Sequence, residues 1–298
     1  MCILSLIARF KRLFLTLLIV GLAGCSTFKI AYNQSDFLAR WWLDDYLSLN
    51  QEQNQLVKVA LQRQLHWHRT EQLSEIITTL EFAKDKLRHQ FLRSDFEFLT
   101  QRIRIHLLSV AEYSNADTAK LLSQLSDEQH KNLEKNIAKS NAKFRKEFIG
   151  ETKDKQLKLK TERVIDRSKS LFGKLSSEQE RKIAEIVKAT YLPQEQLYED
   201  RLRRQKEFLD IVQFARNNSS KQADILNRLN DFYTHFELGR HSQSRAIQQA
   251  RLKANIDMSL NIVQIMETSQ RQHAIEKLDS WIKDLEDLRS QASVTAAK

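Results

Sequence analysis

The sequence predicts an all-α protein, a bundle or array of about ten helices with no sheet. Three observations carry this. Glycine and proline nearly vanish beyond residue 24, where only Gly150, Gly173, Gly239 and Pro193 remain. A sheet with tight turns needs more of both. Leu, Lys, Glu, Gln, Arg and Ala are abundant instead, and these residues favour helix. Apolar residues also recur at helical spacing, most clearly as Leu133, Ile137, Phe144 and Phe148. Even without the first 24 residues, the 298-residue chain is long enough for a sizeable core. It can be one helical domain over 30–289 or two packed halves dividing near 115–125.

The elements follow in order. Residues 30–47 form the first helix, which contains Trp41-Trp42-Leu43-Asp44-Asp45-Tyr46-Leu47. A long helical tract runs from Gln51 to about Leu92, with His68–Thr70 as the place for a break. Ser94-Asp95-Phe96-Glu97 reads as a capping box opening a helix to about Tyr113, and Asn115 caps a short helix ending near Leu125. Ser126 starts the next helix, with Gly150 where a left-handed C-cap would sit. Residues 152–172 form another, with Leu157, Val164 and Leu171 at heptad spacing and Gly173 closing it. Helices over 177–191, 194–216, 219–238, 242–268 and 270–289 complete the count, and Ser290–Lys298 reads as a disordered tail.

A short motif recurs at helix starts. It stands as Leu49-Asn50-Gln51-Glu52-Gln53, Leu125-Ser126-Asp127-Glu128-Gln129 and Leu175-Ser176-Ser177-Glu178-Gln179, with Leu192-Pro193-Gln194-Glu195-Gln196 as a variant. The polar residue caps the helix, the Gln closes a capping box, and the Glu meets the positive helix end. The unequal spacing excludes a solenoid, which needs a fixed period.

The N-terminus carries an address. Arg9, Lys11 and Arg12 precede an apolar stretch from Leu13, which ends in Leu22-Ala23-Gly24-Cys25. Residues 1–24 therefore read as a cleaved signal peptide. The stretch is too short to span a bilayer, which takes about 20 apolar residues. The Leu22–Cys25 run resembles the lipobox of bacterial lipoproteins. That resemblance implies a diacylglycerol on the Cys25 thiol, cleavage before Cys25 and acylation of the new amine. Ser26 in place of aspartate implies sorting to the outer membrane, facing the periplasm. Residues 25–29 leave only a very short tether, so the helical body sits close to the membrane. After cleavage Cys2 is gone and no internal disulfide can form.

Charge is unevenly spread. Net charge is −2 over 25–130, +8 over 131–174 and +1 over 175–298. The basic tract includes Lys131, Lys135, Lys139, Lys143, Arg145 and Lys146, with the lysines four residues apart. It is either a solvated helix face or a surface for anionic headgroups or acidic segments. Trp41 and Trp42 are either core residues of the first helix or an interface with membrane or partner. His66 and His68 are two apart, not the three or four that places metal ligands on one helix face. His235 and His241 fit no metal motif either. No catalytic residue, cofactor site, phosphate loop or nucleic-acid motif is recognised.

Two resemblances extend this. Tyr32-Asn33, Trp41-Trp42-Leu43-Asp44-Asp45-Tyr46 and Leu49-x-x-Glu52-Gln53 resemble an uncharacterised family of proteobacterial helical lipoproteins. That resemblance implies a lipid-anchored helical protein without assigned activity. The Leu-Ser-x-x-Gln starts are similar to the Leu-Thr-x-x-Gln motif of periplasmic chaperones of the Spy and CpxP type. The expected function is a non-enzymatic binding or scaffold protein of the cell envelope, held by lipid on Cys25. An envelope chaperone is the alternative, and a lipid or cell-wall hydrolase is disfavoured.

Overall fold

The computed structural model describes residues 27–149 and 152–296. Every regular element among them is helical. Cys25, the signal segment 1–24 and Gly150 lie outside the described residues. The order is α1 (Thr27–Asn33), α2 (Ser35–Leu47), α3 (Gln51–Trp67), α4 (Leu73–Arg88), α5 (Arg93–Leu122), α6 (Asp127–Phe144), α7 (Lys153–Phe172), α8 (Ser177–Ala189), α9 (Glu195–Asn217), α10 (Gln222–His235), α11 (Ser242–Gln264) and α12 (Thr268–Ala296). Among the described residues, no helix is long and apolar enough to cross a membrane.

The place marked for a break after Trp67 is not a break. The chain passes from α3 to α4 through a π-helical turn, His68–Gln72, in which one extra residue widens the hydrogen-bonded ring. A second π turn, Arg145–Ile149, extends α6.

The expected N-cap at Ser94 shifts by two residues, to Leu92. Asp95, not Ser94, closes the first turn of α5: its Oδ2 accepts from the Leu92 N–H at 2.8 Å. Nor does this helix end at Tyr113. Asn115 is buried inside it and α5 continues to Leu122. Residues 115–125, where the chain could divide into two packed halves, hold the end of α5 and its turn. At the C-terminus, α12 stays helical through Ala296, where the sequence suggested a disordered tail from Ser290.

Two main cores are built from interleaved segments. One gathers Leu47, Val57, Leu122, Leu133, Val212, Ile225 and Leu229. The other gathers Leu87, Phe172, Ile183, Val187, Val263 and Leu278. The α5 helix feeds both, through Ala119 and Leu122 to the first and Phe96 and Leu99 to the second. A third cluster, Leu73, Leu285 and Leu288, seals α4 against α12, and Lys84 of α4 reaches Asp279 of α12 at 2.8 Å.

The recurrent helix starts do more than cap. Asn50, Ser126 and Ser176 each close a capping box with Gln53, Gln129 and Gln179. The same Gln side chains then pair across the fold. Gln129 Nε2 donates to Gln53 Oε1 at 2.7 Å and to the Ser48 carbonyl at 3.1 Å. Gln53 Nε2 in turn donates to the Gln124 carbonyl at 3.0 Å. In the second core, Gln179 Nε2 donates to Gln270 Oε1 at 2.7 Å and to the Ile265 carbonyl at 3.1 Å. Gln270 Nε2 donates to the Lys174 carbonyl at 2.8 Å.

Each accepting carbonyl belongs to the residue just before the partner's motif, so the two locks share one plan. The fourth member is Met266-Glu267-Thr268-Ser269-Gln270, with Gln270 Oε1 accepting from the Glu267 N–H at 2.9 Å. The Leu192–Gln196 variant does not take this role, because Gln194 makes no side-chain cap. All four glutamines are buried, and their polar atoms are satisfied within the locks, as buried amides require.

Candidate functional site

The α2 helix has apolar residues on more than one face. Leu43, Tyr46 and Leu47 point into the first core. Phe37, Leu38, Trp41 and Trp42 are all exposed, Trp41 at 64% and Trp42 at 52%. At 3.6 residues per turn, Phe37 and Trp41 lie one above the other, as do Leu38 and Trp42. These four side chains make one broad apolar face. Both tryptophans are thus solvent-facing, which excludes the core reading for this pair.

The helix is held from below. Asp44 Oδ1 accepts from the Leu49 N–H at 2.9 Å and fixes the turn in which Ser48 is left-handed, with φ of 50°. Asn136 of α6 donates to the Asp45 carbonyl at 2.9 Å. Asp44 is thereby assigned to the turn that follows α2.

Beside this face lies an apolar groove of about 280 Å³ between α2, α3 and α5. Trp42 and Tyr46 form one wall, with ring centroids 4.6 Å apart. Leu56, Ala60, Leu121, Leu133 and Phe208 complete the apolar lining. Gln64 and Asp117 supply polar atoms at its edge. The groove can take an aliphatic or aromatic group, and it offers no arrangement of nucleophile and base.

A polar cluster pins α1 to the π turn. The Tyr32 hydroxyl meets His68 Nδ1 at 2.8 Å, and Arg69 stacks on the Tyr32 ring while donating to Asn33 Oδ1 at 2.8 Å. Burial pushes the Tyr32 phenol up to about 12, against a smaller opposing pull from Arg69. Burial also lowers the His68 pKa, helped by His106 and Arg69. His68 therefore serves a structural hydrogen bond, while His66 is exposed. His235 Nδ1 meets the Asp231 carbonyl at 2.9 Å. Among the described residues, no group of three His, Cys, Asp or Glu is placed to hold a metal.

The predicted basic surface is spread along α6. Lys131, Lys135, Lys139 and Lys143 are exposed, as are Arg145 and Lys146 in the π turn. Lys143 lies 3.8 Å from Glu147, and Arg145 stacks over the Tyr198 ring. These cations run as an exposed stripe rather than as a converging cluster.

Sequence reasoning missed the groove and the outward turn of Phe37 and Leu38. The available signal was a first helix with apolar residues on several faces, which a single buried face does not need.

Comparison with protein-family models matches residues 45–236 to a family of unknown function, DUF6279. The chain belongs to the DUF6279 family. The matched segment holds the helix starts at Leu49, Leu125 and Leu175, the groove lining of α3 and α5, and the basic stripe. It begins after Trp41 and Trp42 and ends before Gln270. No curated protein and no solved structure matches the chain. DUF6279 membership marks an uncharacterised domain and assigns no chemistry to it.

Proposed function

We propose that this DUF6279 protein is a lipid-anchored, non-enzymatic binding protein of the bacterial envelope. Cys25 carries the lipid, and α2 rests its aromatic face in the headgroup zone of the same membrane, on the periplasmic side of the outer membrane. The observation that carries the reading is the apolar face of Phe37, Leu38, Trp41 and Trp42, left open a short distance after Cys25. Indole rings are favoured at the membrane–water interface, where an apolar body and a polar N–H are both accommodated. An acyl anchor that gains a second attachment holds more firmly than one signal alone. The groove behind Trp42 and Tyr46 is then the place where a partner's apolar side chain is received.

The test is vesicle binding of protein carrying Cys25→Ala, which removes the lipid and leaves α2. Tryptophan emission shifts to the blue on adding vesicles, and Trp41→Ser/Trp42→Ser weakens binding. Equal binding of both forms would exclude α2 as the contact.

A second reading, a chaperone that holds unfolded clients, is favoured by the groove alone, since it accepts apolar side chains without selecting among them. It requires near-stoichiometric suppression of aggregation of a denatured test protein, and Ala60→Trp, which fills the groove, must abolish that suppression.

A further inference from the structure

A different cavity, of about 200 Å³, lies between α7, the connection from α8 to α9, and α11. Four cations line it: Lys160, Arg163, Arg167 and Arg251. The first three lie at i, i+3 and i+7, so they share one face of α7. Arg251 faces them from α11. Apolar side chains, Val164, Leu192 and Met258 among them, supply part of the remaining wall.

No described carboxylate forms an ion pair with this group, although the field of Glu162 reaches Arg163. Asp200, whose field reaches Arg251, is buried and already held at 2.7 Å by both Arg203 and Arg204. Glu147 is turned toward Lys143, and only its backbone carbonyl accepts from Arg163, at 3.0 Å. Glu162 lies 3.9 Å from Lys158. Arg251 Nη1 is buried without a hydrogen-bond partner among the described residues. Burial, then Arg251 and Arg163, lowers the Lys160 pKa, and burial is the first cause of the lowered values of Arg163 and Arg251 too. Like charges drawn together and partly desolvated are costly unless an anion joins them.

One guanidinium, that of Arg163, is also oriented in advance. Arg163 is fixed by the Glu147 carbonyl and by stacking on Phe148, with its guanidinium carbon 4.6 Å from the ring centre. Guanidinium groups match the oxygens of phosphate in a planar, two-pronged geometry, and a lysine adds a point charge. The exposed lysines of α6 lack both the convergence and the partial burial.

We infer that this cavity is a binding site for a phosphate monoester group, held by Lys160, Arg163, Arg167 and Arg251, with the esterified portion lying on the apolar wall. The group can come from a soluble phosphate ester or from a lipid headgroup. The inference does not rest on the placement of α2 at the membrane.

Calorimetry on the purified protein with glycerol 3-phosphate tests the soluble source. Binding to phosphatidylcholine vesicles with and without phosphatidic acid tests the lipid source. Saturable binding is expected in at least one arm. Lys160→Met/Arg251→Met is expected to weaken it by roughly tenfold or more. Lys135→Met/Lys139→Met on the exposed stripe leaves it unchanged. In anion-free buffer the Lys160→Met/Arg251→Met protein melts no lower than the parent, because the crowded charges are relieved. Should that variant fail to fold, the exposed Arg167→Gln decides, with binding weakened about threefold or more. Absence of saturable binding in both arms overturns the inference, as does binding that survives in the cavity variants.

Discussion

At the scale of single residues, the exposure of Trp41 and Trp42 and the partial burial of His68 decide most. Large aromatics usually fill cores, and one sequence cannot show which face of a helix finds a neighbour. Tyr46 and Leu47 face inward on the same helix, so composition alone could not separate the two sets.

His68 makes its own prediction. Its folded pKa is lowered from 6.5, first by burial, and that of His106 is lowered the same way. The unfolded chain therefore takes up protons more readily as pH falls. The stability that neutral His68 contributes is complete above about pH 6.5 and is lost as the pH drops through the folded value. Urea unfolding across this range shows a decline on acidification, and His68→Gln flattens it. A decline of the same size in His68→Gln would place the dependence on other groups.

At the scale of elements, the helix starts were legible and their partners were not. Asn50, Ser126 and Ser176 cap where capping grammar placed them, because capping is decided within four residues. The pairing of Gln53 with Gln129 joins residues 76 apart, and that of Gln179 with Gln270 residues 91 apart. Local grammar carries no information about such partners. It also missed Gln270, since Glu267 is not a usual capping residue. The π turn at His68–Gln72 was legible only as a weak point.

Gln129→Ala removes a cap and leaves the Ser48 carbonyl and Gln53 amide without their partner. It should destabilise the protein by about 2–4 kcal/mol. Gln53→Ala in the same background should cost less than it does alone, because the two share one lock. Strictly additive losses in a double-mutant cycle would show that the pair is not coupled.

At the scale of the whole molecule, the scarcity of glycine and proline predicted the helical class, and every regular element described is a helix. The arrangement of the cores was hidden, because each draws on segments far apart in the chain. The continuous α5 links them. Val187→Ala in one core and Leu229→Ala in the other, both at fully buried positions, should each cost about 1–5 kcal/mol. Both should lower a single shared unfolding transition. Two separate transitions, each responding to one substitution, would mean that α5 does not couple the cores. Membership of DUF6279 accounts for the matched region, while the aromatic face that gives the molecule its proposed orientation lies just before it.

That orientation is the central claim, and the depth of the α2 indoles tests it most directly. With Trp67 and Trp281 replaced by Phe, the emission of Trp41 and Trp42 can be followed in vesicles whose lipids carry bromine at different chain depths. The account predicts strong quenching from bromines near the headgroup and weaker quenching from those near the chain ends. Emission left at its aqueous maximum and unquenched at every depth, with the protein lipid-anchored, would contradict it.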